Sequence, residues 1–278
     1  MFLLAESGSS KTQWRGVSNG KIYATETKGI NPFFASEEFI LNELQHSELA
    51  KFQNAITRIV FYGSGCSHEG RNNFLKKIIQ NFFPNATEVI VDHDMLAACI
   101  ALFGKEDGIA CIIGTGSNSC VYENGQITQN VPALGYILGD EASGSFIGKE
   151  LLKHFIYKTL PVEIQDFISK EYQLDKEDIF DSVYKKELPN RYLASFALVA
   201  SKFRTHPFIH EILLRGFEEF IRYHIVCYPE SKHLPISFVG SIASVFEEEL
   251  TIAMNKFNLA ITKIDSNPVD ALVEFYTK

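Results

Sequence analysis

The chain has 278 residues, 46% hydrophobic and 22% charged, with 26 Lys and Arg against 34 Asp and Glu for a net charge of -8. That length exceeds most single cores and points to two domains. The acidic balance argues against a nucleic-acid or anionic-membrane surface, which needs clustered Lys and Arg, and no apolar run approaches the ~20 residues of a membrane span.

The chain enters a strand at once, without a basic leader, so a soluble cytoplasmic protein is expected. Phe2 to Trp14 reads as a strand, a turn at Gly8-Ser9-Ser10 and a second strand, and Asn19-Gly20 turns the chain into a third. Ser36 to Ala50 has helical spacing, with Phe39, Ile40, Leu44 and Leu49 inward. Arg58 to Tyr62 is a strand running into Gly63-Ser64-Gly65, Glu69 to Phe83 a helix and Glu88 to Val91 a strand. Met95 to Phe103 is a helix with Asp94 as its expected N-cap, and Gly104 to Gly108 closes it. The order β-β-β-α-β-α-β-α defines an α/β domain.

A second triple-stranded unit then repeats the first. Ala110 to Tyr122 holds a strand, a Gly114-Thr115-Gly116-Ser117 turn and a strand, and Asn124-Gly125 leads to a third. Glu141 to Phe257 reads as mainly helical, with a helix from Ala142 and with Pro161, Pro189, Pro207 and Pro229 separating segments. Ile236 to Val239 is a strand ending in Gly240-Ser241, as Ile59 to Tyr62 ends in Gly63-Ser64. Ala260 to Ile264 is a last strand and Val269 to Tyr276 a terminal helix. Turns built of Gly, Ser and Thr expose backbone N–H groups and hydroxyls without bulk above them, as a polyphosphate requires. Two such hairpins, as facing jaws, predict a nucleotide between them, with the Lys11 charge near the transferred phosphate.

Four motifs in order resemble the N-acetylglucosamine kinase-like branch of the actin–Hsp70–sugar kinase superfamily, which also contains the ATPase activators of benzoyl-CoA reductase. They are Glu6 to Thr12, Gly29-Ile30-Asn31-Pro32, Gly114 to Asn118, and Gly135 to Gly144. The resemblance extends into the second half through Gly240-Ser241 and Asn267 to Leu272. It implies duplicated ribonuclease H-like domains, each a mixed five-stranded sheet flanked by helices, with a nucleotide cleft between them. Residues 1–107, completed by a C-terminal helix at 268–278, would form one, and residues 108–267 the other.

ATP and Mg²⁺ are the implied cofactors and an amino sugar the implied partner. Gly8, Ser9, Ser10, Lys11 and Thr12 would face one side of the triphosphate and Gly114, Thr115, Gly116 and Ser117 the other, while Gly240, Ser241 and Ala243 would line the adenosine. Glu6 stands where the family has an Asp that holds Mg²⁺ through water. Its extra methylene shifts the carboxylate, which an outer-shell ligand tolerates better than a direct one. Gln13 stands where relatives often carry an acid.

Asp94 occupies the place of the acid that takes the proton from the accepting hydroxyl, at a helix N-terminus that favours negative charge. Asp92, on the preceding strand, is expected to face away. Asn31, Gly63, Gly135 and Asp140 are the remaining sugar-side candidates, Asn31 because Pro32 would aim its amide toward the sugar. Asp140 and Glu141 could instead cap the following helix. His68 and His93 read as structural, and Glu247-Glu248-Glu249 as a solvated helix face.

The implied activity is transfer of phosphate from ATP to N-acetylglucosamine or N-acetylmuramic acid. Two rivals stand beside it. An electron-donating ATPase activator needs surface cysteines for a shared iron-sulfur cluster. The five cysteines, Cys66, Cys99, Cys111, Cys120 and Cys227, are scattered without a Cys-x-x-Cys pair and read as reduced, mostly buried thiols. A non-catalytic sensor would account for Glu6 and Gln13. The oligomeric state is open, a homodimer included.

Overall fold

The computed structural model describes all 278 residues, in two compact units: Met1–Lys105 with Asn267–Lys278, and Glu106–Ser266. The first unit contains β1 (Phe2–Ser7), β2 (Lys11–Ser18), β3 (Lys21–Lys28), α1 (Glu37–Gln45), β4 (Arg58–Gly63), α2 (Glu69–Phe82), β5 (Glu88–His93) and α3 (Asp94–Phe103). Its five strands lie in the order β3-β2-β1-β4-β5, antiparallel through β1 and parallel from β1 to β5.

Alternation along the buried strands sets the two faces of this sheet. Leu3, Ala5, Ile59 and Phe61 pack against Ile40 and Leu44 of α1 and Leu75, Ile78 and Ile79 of α2. Leu4, Val60 and Tyr62 point the other way, toward Ala97, Ile100 and Ala101 of α3 and toward Val269, Leu272 and Val273 near the C-terminus. Each such fully buried aliphatic side chain contributes about 1.5–3 kcal/mol, and a slip of one residue in register would exchange the side chains of the two cores and spoil the packing of both.

The second unit contains β6 (Gly108–Ile113), β7 (Ser117–Glu123), β8 (Gln126–Asn130), α4 (Gly135–Leu138), α5 (Gly144–Tyr157), α6 (Val162–Tyr172), α7 (Lys176–Tyr184), α8 (Pro189–Ser195), α9 (Ala197–Lys202) and α10 (Pro207–His224). It continues with β9 (Ile236–Val239), α11 (Ser241–Val245), α12 (Glu247–Lys256) and β10 (Ile261–Asp265), and the chain ends in α13 (Pro268–Thr277), which packs on the first unit. The strand order is β10-β9-β6-β7-β8, the same topology as the first sheet. Its single core gathers Ile109, Cys111 and Ile113 of β6 with the apolar face of α10, where Ile209, Ile212, Leu213, Phe217, Phe220 and Ile221 follow helical spacing. Pro189, Pro207 and Pro268 each sit in a first helical turn, where their missing N–H costs nothing.

Three local expectations change. The helix expected over Ser36 to Ala50 is two pieces, because α1 stops at Gln45 and a 3₁₀ segment, Glu48–Phe52, is capped anew by Ser47. The helix expected from Ala142 begins at Gly144, because Ser143 caps it by accepting from the Phe146 N–H and Ala142 adopts a positive φ of 62°. The acidic run near the C-terminus is not wholly solvated, since Glu249 is buried and accepts from Arg204 Nε at 2.7 and 3.0 Å.

Candidate active site

In the first unit the β1–β2 turn is closed by the Gly8 N–H donating to Lys11 O at 3.0 Å, and nothing crowds the Gly8 α carbon. Gly29 backs this turn, where a Cβ would come within 2.5 Å of Gly8 O and 2.6 Å of Ser9 O. Thr12 does not belong to a ligand surface. It is fully buried, shares a 2.7 Å hydrogen bond with Ser7 Oγ, donates to Lys28 O at 3.2 Å and accepts from the Ile30 N–H at 3.1 Å. Its hydroxyl fastens the Gly29-Ile30-Asn31 loop to the turn, which corrects its expected phosphate role. Lys11 opens β2, is exposed, and pairs with Glu26 at 3.1 Å. Gln13 also donates to Glu26, at 3.3 Å.

Glu6 is even in the β1 alternation, so it shares the face of α3 and lies under that helix's N-terminus. Burial, and then the charge of Asp94, push its carboxyl up to about 7, while the Lys11 ammonium pulls it down. Asp94 is the first helical residue of α3 and not its cap, which is His93 and makes no side-chain capping bond. Its carboxylate is fixed instead by Ser64, whose hydroxyl donates to Asp94 Oδ2 at 2.8 Å.

Asp92 does not turn away. It pairs in register with Tyr62, which pairs with Glu6, because residues two apart on a strand keep to one face. What separates the two acids is bonding, since Asp92 Oδ1 accepts from the adjacent His93 N–H at 2.8 Å.

Asn31 accepts from the Phe33 N–H at 2.9 Å in a tight turn, and its amide lies against Gly65, where a Cβ would meet Asn31 Oδ1 at 2.1 Å and φ is +82°. Gly63 has a packing reason of its own, a Cβ there meeting the Phe61 ring at 2.7 Å. His68 caps α2 by accepting from the Gly70 N–H. No three His, Cys, Asp or Glu side chains converge as a metal-holding group. A hydrated Mg²⁺ fits this donor set, because it keeps most of its waters and relies on one or two carboxylates with substrate phosphates. The raised Glu6, crowded by Asp94, is the carboxylate such a cation would relieve.

In the second unit the Gly114 N–H donates to Gly116 O at 2.9 Å, and a Cβ on Gly114 would meet nothing within 4 Å. The first turn of α5 is built on this loop, through Gly144 N–H to Gly114 O at 2.8 Å and Ser145 N–H to Thr115 O at 3.1 Å. Gly240, at φ +118°, allows the end of β9 to reach the loop, where a Cβ would strike Ile113 O at 2.3 Å. Ser241 is exposed at the start of α11, whereas Ala243 is fully buried in the core and cannot line an adenosine site.

Ser117 Oγ is buried without a hydrogen-bond partner, an orphaned donor at the turn expected to hold phosphate. Asp140 is committed to this same turn. Its Oδ1 accepts from the Ser117 N–H at 3.1 Å, and its carboxylate stands where a Cβ on Gly116 would fall. Burial raises its pKa, and the Ser117 bond lowers it in part.

Neither Asp140 nor Glu141 caps α5. Glu141 Oε2 lies 3.2 Å from His224 Nε2, and His224 Nδ1 lies 3.4 Å from Ser119 Oγ, which is 3.1 Å from the Tyr228 hydroxyl. This buried chain was not anticipated; its members are far apart in sequence and carry no spacing signal. Gly135 opens α4 at a positive φ of 72° with open space at its α carbon. Four cysteines are buried and Cys227 is exposed.

No family model and no curated protein sequence matches the chain. Among solved structures, a putative N-acetylglucosamine kinase from Porphyromonas gingivalis is 33% identical over 99% of this chain and 98% of that one, with a TM-score of 0.93. A putative N-acetylglucosamine kinase from Chromobacterium violaceum is 16% identical over 99% and 98% of the two chains, with a TM-score of 0.75. MreB5 of Spiroplasma citri bound to AMPPNP is 12% identical over 99% and 94%, with a TM-score of 0.52. The latter two show the fold alone. With the first, they place two copies of the actin-like ATPase topology in this protein, and at one-third identity over nearly the whole length the chain belongs to the N-acetylglucosamine kinase-like family of the actin–Hsp70–sugar kinase superfamily.

Proposed function

We infer that the protein is an ATP-dependent sugar kinase whose acceptor is an amino sugar, N-acetylglucosamine or N-acetylmuramic acid. The observation that carries this reading is Asp94, set at the first residue of α3 with Oδ2 fixed by Ser64 at 2.8 Å. A carboxylate so held can accept a hydroxyl proton as the hydroxyl oxygen attacks a phosphoryl group. The name borne by the Porphyromonas gingivalis relative supports the amino-sugar class.

Gly8, Ser9 and Ser10 in the first unit, and Gly114, Thr115, Gly116 and the orphaned Ser117 hydroxyl in the second, offer donors to phosphate oxygens. Glu6 would hold Mg²⁺ through water, and the cation when bound supplies positive charge where the transferred group is negative. Asn31, with its amide at Gly65, offers donor and acceptor to vicinal sugar hydroxyls.

The electron-donating rival finds no support in the cysteines, of which only Cys227 is exposed. Purified protein with MgATP and a panel of hexoses, N-acetylhexosamines and N-acetylmuramic acid is expected to release ADP together with a sugar phosphate. ATP binding without sugar-dependent ADP release across the panel would overturn the reading and favour a sensor.

A further inference from the structure

The acceptor side of the first unit carries a cation that phosphoryl transfer to a neutral sugar does not require. Arg71, in the first turn of α2, is half-buried. In a chain with 34 acids and 26 bases, Arg15, Arg58, Arg204 and Arg215 each pair with a carboxylate. Arg71 makes no such pair. Its Nη1 donates to Gly65 O at a long 3.4 Å, and its guanidinium lies 4.8 Å from the centre of the Phe33 ring.

Those two contacts place the charge. Gly65 also receives the Asn31 amide, and Ser64 beside it holds Asp94. Phe33 is two residues from Asn31, leaves 60% of its surface exposed and packs edge-on against Phe34 at 4.7 Å. Asn31, Phe33, Arg71 and Asp94 therefore converge on Ser64 and Gly65. The Cys66 thiol next to them reports the same neighbourhood, since burial and then the charges of Asp94 and Asp92 push it up to about 12 against the pull of Arg71. An aromatic face beside an unpaired guanidinium suits a sugar ring that carries an anionic substituent, because the ring packs on the aromatic while a planar carboxylate meets the guanidinium fork.

We propose that Arg71, seated between Gly65 and Phe33, recognises a carboxylate on the acceptor, so that the preferred substrate is an amino sugar bearing an acidic ether substituent and not a neutral N-acetylhexosamine. This rests on the sugar-kinase reading and narrows it. A charge-assisted bond of this kind corresponds to roughly 10- to 100-fold in specificity.

The test compares kcat/KM for three acceptors, N-acetylmuramic acid, its uncharged lactyl carboxamide and N-acetylglucosamine, in the wild type, Arg71→Gln and Arg71→Lys. The wild type is expected to favour the acid over the carboxamide by at least about tenfold. Arg71→Gln should bring that ratio close to one, and Arg71→Lys should restore part of it as a point charge without the fork. The ratio is read within one preparation, so a general loss of folding or turnover cancels. Equal use of acid and carboxamide by the wild type, or a ratio that survives Arg71→Gln, overturns the proposal while leaving the kinase reading intact, and Arg71 is then only a support for Phe33. No transfer to any of the three overturns both.

Discussion

The two units fold five strands in one order, yet the first strand of each approaches its turn differently. Two residues before the turn glycine stand Glu6 in the first unit and Ile112 in the second. The first unit keeps an acid under the N-terminus of α3, close to a second acid, Asp94. The second keeps no acid on the strand and brings one from elsewhere, Asp140, onto the Ser117 N–H. The turns are also supported differently. The hydroxyls of Ser7 and Thr12, both accepting from the Ile30 N–H, tie down the first, whereas the backbone of α5 and the approach of Gly240 tie down the second. One topology thus supports an acid pair suited to a proton and a cation in one unit and a backbone-built loop in the other.

The comparison breaks most visibly if the acids of the two units prove interchangeable. Asp94→Asn is expected to lower kcat by about 10² to 10⁴ with ATP and sugar binding retained. Asp140→Asn should cost less than about tenfold, because an amide oxygen still accepts from the Ser117 N–H. Steady-state kinetics with binding measured separately decides it, and equal losses would end the division of labour.

Glu6 sharpens the comparison through the metal. Glu6→Asp should maintain or raise turnover, and Glu6→Ala should lower activity and Mg²⁺ dependence together, read by titrating rates against free Mg²⁺. Because the Glu6 carboxyl is raised from 4.5 to about 7, the folded chain holds a proton there that the unfolded chain has released. Its contribution to stability is therefore lost as pH rises from about 4.5 through about 7 in the absence of metal. Glu6→Gln should remove that loss, so melting at pH 8 without Mg²⁺ should favour the variant. The proton also competes with the cation, so the apparent Mg²⁺ affinity of the wild type should fall below pH 7. A pH-independent midpoint would remove Glu6 from the metal.

Two glycines of the second unit should part company. Gly240→Ala forces a Cβ to within 2.3 Å of Ile113 O at φ +118° and is expected to destabilise by about 3 kcal/mol. Gly114→Ala meets nothing within 4 Å, so it should melt near the wild type while raising the KM for ATP. The smallest effect belongs to Thr12→Val, expected to cost about 1–2 kcal/mol through the lost hydrogen bonds to Ser7 Oγ and Lys28 O, while the Ile30 N–H still donates to Ser7 Oγ. It should change the KM for ATP by less than twofold, and a larger change would return Thr12 to the phosphate surface.

Local chemistry carried the fold. The continuous apolar runs Phe2 to Ala5 and Ile59 to Tyr62, the repeated Gly/Ser turns and the prolines that separate helical segments are one-dimensional signals, and each corresponds to an element of the structure. The order of motifs put Glu6, Asn31 and Asp94 in the first unit, where the Asp94 charge acts on Glu6 and Asn31 meets Gly65 beside Ser64.

Tertiary structure decided the partners. Thr12 is a candidate donor in the sequence and a buried strut in the fold, because Ile30, 18 residues away, claims its hydroxyl. Asp94 reads as a cap and is a held carboxylate, because Ser64 is brought up by the parallel pairing of β4 and β5. Asp140 reads as a sugar ligand and serves the Ser117 turn, Glu249 reads as solvated and is sealed by Arg204, and Arg71 has no sequence signal at all. Amino-acid type and spacing determine which backbone forms, since backbone preferences and burial act over a few residues. Which donor meets which acceptor depends on strand register and loop closure across tens of residues, and that is set only when the sheets assemble.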